Sequence, residues 1–135
     1  MPDTSFSTVS LPTQYTVLAP DGSEIRILAQ VPSGGMAHGT LPPGSTSLAI
    51  RHRTVAEIWF VLSGSADIWR RFGSVESVET VRPGQSLTIP TGTTFQFRTV
   101  GPEPFQFIMC TMPPWPGPEE AVFEDGKWKV SNDNL

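Results

Sequence analysis

The sequence predicts a single all-β domain, built as a sandwich or a barrel. The chain has 135 residues, which suits one domain with a buried core, and it combines 14 prolines and 12 glycines with plentiful apolar residues. That combination is typical of many short strands joined by tight turns. The one short helix candidate is residues 116–125, where prolines precede acidic residues. We therefore expect roughly eight to ten strands and little or no helix.

Alternation of apolar and polar residues marks the strands in chain order. Residues 24–31, EIRILAQV, show this period of two, as expected for a half-buried strand. Gly- and Pro-containing turns separate the further predicted strands, which are MAHGTL, STSLAIRH, EIWFVL, ADIWRRF, SLTI, TFQFRTV and PFQFIMC. The last two flank a Gly-Pro turn and predict a hairpin whose buried face carries Phe95, Phe97, Phe105 and Phe107. Gln96 and Gln106 alternate with these phenylalanines, so we expect them to face outward.

Three regions are predicted along the chain. Residues 1–13 are polar and are expected to form a flexible N-terminal arm or an edge strand laid on a neighbour. Residues 14–112 are expected to form the barrel. Residues 113–135 begin with a proline-rich run that cannot be a central strand, so this tail is expected to pack on the barrel surface. Within the tail, Trp115 is expected to be a packing anchor.

Charge and cysteine content exclude several classes of protein. The net charge is −4 with no basic stripe, which argues against a nucleic acid partner. The single cysteine permits no intrachain disulfide and no multi-cysteine zinc site. No apolar run reaches the length of a membrane span, and no signal-peptide pattern opens the chain, so a cytoplasmic protein without membrane partners is expected.

Two glycine and proline frames resemble the two motifs of the cupin family. The first motif is a Gly, five residues, His-x-His, three or four residues, Glu, six residues and Gly. The second is a Gly, five residues, Pro-x-Gly, two residues, His, three residues and Asn. The matching positions are Gly44, His52, Glu57 and Gly64 in the first motif and Gly84, Pro90 and Gly92 in the second. The resemblance implies a cupin-type double-stranded β-helix, a jelly-roll barrel.

For the metal site of that family the match is partial. The resemblance implies four ligand positions, and His52 and Glu57 occupy two of them, whereas Ile50 and Phe95 occupy the others. A first-row divalent ion normally takes at least three protein ligands. His38, the only other histidine, is the candidate for a third ligand. The resemblance thus implies a degenerate metal site, with no cofactor or a weakly held divalent metal.

The family geometry also implies which side chains point into the barrel. These are Ile50, His52, Glu57, Trp59, Phe95 and Phe97. They would line an apolar, aromatic cavity that holds one imidazole and one carboxylate. Two other interpretations stay open: the aromatic set fills the barrel as ordinary core, or His52 and Glu57 form only an ion pair.

Three functional hypotheses follow. In the first, the cavity binds a small, largely apolar ligand, and His52 and Glu57 are catalytic residues in isomerase- or cyclase-type proton transfer. In the second, the protein is a metal-dependent cupin enzyme with the reduced ligand set His52, Glu57 and His38. In the third, it is a non-catalytic binding module. Small cupins are commonly homodimers, and the resemblance implies the same association here.

Overall fold

The computed structural model describes residues 6–131, which form eleven strands and one short 3₁₀ turn. The strands are β1 (Val17–Leu18), β2 (Glu24–Val31), β3 (Gly34–Leu41), β4 (Ile50–His52), β5 (Ala56–Ser63), β6 (Ser65–Phe72), β7 (Val75–Val81), β8 (Ser86–Ile89), β9 (Thr94–Val100), β10 (Phe105–Met112) and β11 (Ala121–Phe123). The 3₁₀ turn spans Pro118–Glu120. The prediction of an all-β fold with little helix is confirmed.

The strands form two antiparallel sheets that face each other across the core. The six-stranded sheet has the order β1-β2-β3-β10-β5-β8, and the five-stranded sheet has the order β11-β4-β9-β6-β7. Consecutive strands often belong to opposite sheets, which is the winding of a double-stranded β-helix. The largest fully buried aromatic side chains come from both sheets and are Trp59, Phe95, Phe97, Phe105 and Phe107.

The predicted hairpin of β9 and β10 is wrong. β9 pairs with β4 and β6, whereas β10 pairs with β3 and β5, so the turn at 101–104 carries the chain from one sheet to the other. The four phenylalanines are nevertheless buried, because they meet from facing sheets: the ring centroids of Phe97 and Phe107 lie 5.8 Å apart. Alternation reports which face of a strand is buried, and it does not report which strand lies alongside.

The weak helix candidate at 116–125 is also corrected. Only Pro118–Glu120 forms a 3₁₀ turn, and the chain then extends as β11, which pairs with β4. Two prolines and a glycine leave no room for a second helical turn, and the apolar residues that follow prefer an extended conformation. The tail thereby adds an edge strand beside the strand that carries His52.

Gln96 does not face solvent as the alternation predicted. Its side chain is fully buried because the C-terminal segment lies over it. The Nε2 group of Gln96 donates to the main-chain oxygens of Ser47 and Trp128, and its Oε1 accepts from the Trp128 N–H. The alternation of residues in a strand does not indicate whether a distant segment covers the outer face of its sheet.

One frame glycine shows why the motif requires that residue type. Gly64, in the turn from β5 to β6, has φ 70°. A Cβ atom at this position would lie 2.1 Å from the main-chain oxygen of Pro104, so any side chain would displace the neighbouring β9–β10 turn.

The chain ends are described in part. Residues 1–5 of the predicted arm and residues 132–135 lie outside the described range. Residues 6–11 are exposed, and the arm meets the barrel where the Arg26 side chain donates to the main-chain oxygens of Pro12 and Thr13. Between residues 6 and 131 no helix has the length and apolar character that crossing a membrane requires.

Candidate functional site

A cavity of about 190 Å³ lies between the two sheets. Its walls come from β1 to β5, β9 and β10, from the β1–β2 turn, and from the start of the C-terminal tail. Most lining side chains are apolar, and the ionisable ones are Asp21, His52 and Glu57. The site combines a small apolar volume with a few convergent polar groups, as ligand-binding sites usually do.

β4 fixes His52 in the cavity wall. The strand pairs with β9 on one side and β11 on the other, and the Gly92 N–H donates to the His52 carbonyl oxygen at 3.1 Å. The alternation of β4 turns Ile50 and His52 inward, whereas Arg51 faces outward and pairs with Glu124. The orientation of His52 is therefore set by the main chain on both edges of its strand.

The imidazole of His52 is only 3% exposed and sits between aromatic rings. It makes edge-to-face contacts with Phe95 and Trp115, at centroid distances of 5.3 and 5.0 Å. Its Nδ1 has no hydrogen-bond partner among the described residues. Burial lowers the pKa of His52 to about 4, although the negative charge of Glu120 opposes that shift. At neutral pH the ring is uncharged and has a free polar atom.

β5 places Glu57 on the same inward face as Trp59, two residues further along. The Trp59 Nε1–H donates to Glu57 Oε1 at 2.8 Å, which anchors one carboxyl oxygen. Burial raises the pKa of Glu57 to about 7; the Trp59 hydrogen bond lowers it, and the nearby carboxyls of Asp21 and Glu120 raise it. Glu57 is thus an acid that gains and loses its proton near neutrality.

His52 and Glu57 adjoin without a hydrogen bond. The distance from His52 Nδ1 to Glu57 Oε2 is 3.9 Å, beyond hydrogen-bonding range. The ion pair considered from the sequence would need a charged imidazolium, and burial disfavours that form. Because the two groups are close but not bonded, both keep hydrogen-bonding capacity for a third molecule.

Of the apolar side chains that the resemblance placed at the pocket, Ile50, Trp59 and Phe95 line the cavity. Phe97 does not line it. Its ring lies deeper in the core, 5.0 Å from the ring of Trp59 and 5.8 Å from that of Phe107. Both initial interpretations of the aromatic set therefore hold in part, because some rings line the cavity and others fill the core.

The structure does not bring His38 to His52 and Glu57. Ala37 lines the cavity, and His38, the next residue of β3, lies on the opposite face, directly across from Arg26 and Ile108. The side chain is buried there, and burial together with the positive charge of Arg26 lowers its pKa. Strand alternation is the physical reason, since successive side chains of a strand point to opposite faces.

The residues present do not fit the metal centre of the fold family. Within residues 6–131 no group of three or more His, Cys, Asp or Glu side chains is arranged to hold a metal ion. At the two remaining ligand positions Ile50 and Phe95 present hydrocarbon, which cannot coordinate a cation. One imidazole and one carboxyl group make a poor donor set for a divalent ion.

Three site residues were missed by sequence reasoning. Trp115 was expected only to anchor the tail, but its ring lines the cavity and contacts His52. Asp21, in the β1–β2 turn, lines the cavity, and no motif in the sequence singled it out. Glu120 does not line the cavity but contacts the loop that carries its neighbours. Its carboxylate accepts hydrogen bonds from the N–H and hydroxyl of Thr54 and the N–H of Val55, in the loop that joins β4 to β5.

The electrostatic state of Glu120 differs from that of Glu57. Burial raises the pKa of Glu120, but the hydrogen bonds from Thr54 and Val55 outweigh it, so the pKa is lowered overall. Glu120 is therefore a fixed negative charge at neutral pH. It holds the loop between His52 and Glu57 in place and keeps the potential around the cavity negative.

Fold and site together define a double-stranded β-helix with one imidazole and two carboxyl groups in the wall of an apolar cavity. A family model described as a cupin domain matches residues 37–111, more than half of the chain. The chain belongs to the cupin family, and the sequence resemblance is confirmed.

Individual proteins and solved structures are similar to this chain in sequence or in fold. An uncharacterized protein of Methanocaldococcus jannaschii, MJ1618, is 27% identical over 121 residues, covering 83% of this chain and 94% of the relative. A Klebsiella pneumoniae protein with a double-stranded β-helix domain superposes with a TM-score of 0.65 at 19% identity, over 83% of this chain and 92% of that one.

An oxalate decarboxylase of Bacillus subtilis, described with Mn(II) centres, superposes with a TM-score of 0.68 at 16% identity. It covers 82% of this chain, but this chain spans only 30% of the decarboxylase. At these identities the structural likenesses show the fold alone.

Proposed function

We propose that this cupin binds a small, largely apolar molecule in its central cavity and transfers a proton within it, in isomerase- or cyclase-type chemistry. One observation carries the proposal: a carboxyl group with a pKa of about 7, Glu57, lies beside the partnerless Nδ1 of His52 in the wall of an apolar cavity. A general base is most effective when its pKa lies near the working pH. Perturbed groups of this kind cluster at functional sites.

The roles follow from the protonation states. The Glu57 carboxylate removes a proton from a carbon next to a carbonyl group. The C–H electron pair forms a double bond to the carbonyl carbon, and the electron pair of the C=O π bond moves onto the oxygen. The neutral imidazole of His52 donates a hydrogen bond to that oxygen, as an uncharged electrophile can. In a β,γ-unsaturated carbonyl compound the intermediate is a dienolate, and the protonated Glu57 returns the proton to its γ carbon while the carbonyl double bond re-forms. The carbon–carbon double bond thereby moves next to the carbonyl group, and the Glu57 carboxylate is restored.

The side chains around Glu57 and His52 support these roles as base and hydrogen-bond donor. Trp59 anchors one oxygen of Glu57 and leaves the other toward His52, which orients the carboxyl group without neutralising it. Trp115 and Phe95 hold the imidazole between them. A reacting group would meet a base and a hydrogen-bond donor that are already positioned, which is where most catalytic benefit of a rigid site arises.

Proton exchange tests the proposal without knowledge of the natural substrate. A panel of small, apolar carbonyl compounds is incubated in D₂O with wild type, Glu57→Gln and Glu103→Gln, the last changing an exposed glutamate. NMR follows deuterium uptake next to the carbonyl. We expect at least one compound to exchange with wild type and Glu103→Gln, and the rate to fall about 100-fold or more in Glu57→Gln.

The result that would overturn the catalytic part is binding without exchange. If compounds of the panel bind in the cavity and none exchanges faster with wild type than with Glu57→Gln, the protein is a binding module. Thermal shift and ligand-detected NMR on the same samples record binding independently of turnover.

We also infer that the protein is a homodimer that associates through the outer face of the six-stranded sheet. The support is a row of outward side chains on β5, where Ile58, Phe60 and Leu62 are 47%, 46% and 44% exposed. An apolar row on a sheet surface is unusual for a face that contacts only water, and a second copy offers the same row in return.

A further inference from the structure

The ionisable groups of the cavity are unbalanced in charge. Two of them are carboxylic acids, Asp21 and Glu57, and the third is the imidazole of His52, which burial keeps neutral. No lysine or arginine lines the cavity among the described residues. An anionic ligand would find no countercharge here, whereas a cation would supply the charge that the site itself lacks.

Asp21 is held by one of its two oxygens. Its Oδ1 accepts hydrogen bonds from the N–H and the hydroxyl of Ser23, at 2.9 and 2.6 Å. The main chain is fixed as well, because the Leu48 N–H donates to the Asp21 carbonyl oxygen. No hydrogen bond of a described residue reaches Oδ2. An asparagine would accept the same bonds from Ser23, so the turn by itself does not require an ionisable side chain here.

Glu57, like Asp21, is held by the protein through one of its two carboxyl oxygens. Glu57 is anchored through Oε1 by Trp59, and its Oε2 makes no hydrogen bond to His52. His52, 3% exposed, has a partnerless Nδ1. His52 Nδ1 is thus a buried polar atom without a partner among the described residues, and such atoms normally have one. Asp21 and Glu57 border the same apolar volume, each with one oxygen engaged by the protein. An occupant with polar ends and an apolar body would satisfy them.

We propose that Asp21 is the binding carboxylate for an ammonium group, and that the ligand of this cavity is a small primary amine with an apolar body. The ammonium group donates hydrogen bonds to Asp21 Oδ2 and supplies the countercharge for the ionised carboxylate. Without a ligand, burial raises the pKa of Asp21, which favours the uncharged acid. Glu57 and His52 remain available for the rest of the ligand.

This inference rests on the proposed ligand cavity and is independent of turnover. It can therefore be tested by binding alone. Three probes of one shape and different charge separate the possibilities: benzylamine, benzyl alcohol and benzoate. Each is titrated by calorimetry and ligand-detected NMR into wild type, Asp21→Asn, Glu57→Gln and Asp125→Asn. Asp125 is an exposed aspartate outside the cavity.

We expect benzylamine to bind wild type at least tenfold more tightly than benzyl alcohol, and benzoate to bind most weakly. Asp21→Asn should abolish the preference for the amine and leave the affinity for the alcohol unchanged. Asp125→Asn should behave as wild type. Thermal unfolding of Asp21→Asn verifies that the variant is folded, and the retained bonds from Ser23 predict that it is.

Each other outcome counts against a defined part of the inference. Equal affinity for the amine and the alcohol overturns the amine ligand and leaves the cavity proposal standing. A preference that survives Asp21→Asn and disappears in Glu57→Gln overturns the assignment of Asp21. Binding of none of the three probes to wild type overturns both the inference and the ligand-binding cavity on which it rests.

Discussion

His52 Nδ1 and Glu57 Oε2 lie 3.9 Å apart, in a buried site, without a hydrogen bond between them. Burial acts on the two groups in opposite directions, since it lowers the pKa of the base and raises that of the acid. At neutral pH the pair therefore consists of an uncharged imidazole and a carboxyl group close to half ionised. Buried polar groups normally form hydrogen bonds, so a purely structural pair would be expected to share one.

Glu57→Gln should stabilise the protein at alkaline pH. The folded pKa of Glu57, about 7, exceeds the unfolded value of 4.5, so the favourable contribution is complete below 4.5 and is lost as pH rises through 7. Above that range the buried charge costs on the order of 3 kcal/mol, which the amide removes. Chemical denaturation from pH 4 to pH 9 measures the difference between the two proteins.

Glu103→Gln is the control for that series, because Glu103 is exposed and its replacement should not change the pH dependence of unfolding. Parallel pH profiles of wild type and Glu57→Gln would show that Glu57 titrates normally, and the role of a general base near neutrality would then be untenable.

Trp115→Ala should raise the pKa of His52 toward its ordinary value. Trp115 packs against the imidazole, and its removal admits water to a ring whose pKa is lowered mainly by burial. NMR titration of the histidine ring signals, assigned with His52→Gln, measures the shift. Trp128→Ala is the matched control, since that tryptophan stacks on Arg98 outside the cavity. An unchanged pKa in Trp115→Ala would contradict the proposed contact.

Glu120→Ala should destabilise the protein by about 3 kcal/mol at neutral pH. The substitution removes a buried carboxylate and leaves the N–H groups of Thr54 and Val55 without their acceptor. Because the folded pKa of Glu120 is depressed, its contribution is present above the unfolded value and is lost as the pH falls through the folded one. The difference from wild type should therefore shrink in acid.

Glu119→Ala serves as the control for this variant, because Glu119 is an exposed neighbour that meets Arg53 only through its main-chain oxygen. Equal stabilities of the two variants at neutral pH would show that the bonds of Glu120 to the β4–β5 loop do not contribute.

Purified protein should contain divalent metal far below one equivalent. The donor set is one neutral imidazole and one carboxyl, with hydrocarbon at Ile50 and Phe95. Elemental mass spectrometry on protein purified without a metal-affinity step measures the content, with His52→Ala alongside. Near-stoichiometric nickel, zinc, iron or manganese in wild type that disappears in the variant would refute this prediction and favour a metal-dependent cupin.

Phe60→Glu should shift the protein from dimer to monomer. The substitution places a charge in the centre of the exposed apolar row of β5. Val75→Glu is the control, since Val75 is 72% exposed on β7 of the other sheet. Analytical ultracentrifugation reports the mass of each protein. A monomeric wild type, or a dimer that both variants retain, would contradict the proposed interface.

The local sequence was sufficient to predict most strands and to select two residues of the candidate site, His52 and Glu57. Period-two alternation predicted that Phe95, Phe97, Phe105 and Phe107 lie on buried faces of β9 and β10, and the spacing of glycines placed the turns that flank β4 and β5. His52 and Glu57 could be selected because both lie within one motif, and the alternation of their own strands turns them inward.

Relations between distant segments were decided only in the tertiary structure. The alternation that buries Phe95 and Phe105 is the same whether β9 and β10 form a hairpin or lie in facing sheets, so the sequence could not distinguish the two. Trp115, Glu120 and Asp21 join the site from the tail and from the first turn, and no local period reports such an approach. The protonation states of His52 and Glu57 depend on the same distant segments, because desolvation and nearby charge are properties of the assembled cavity.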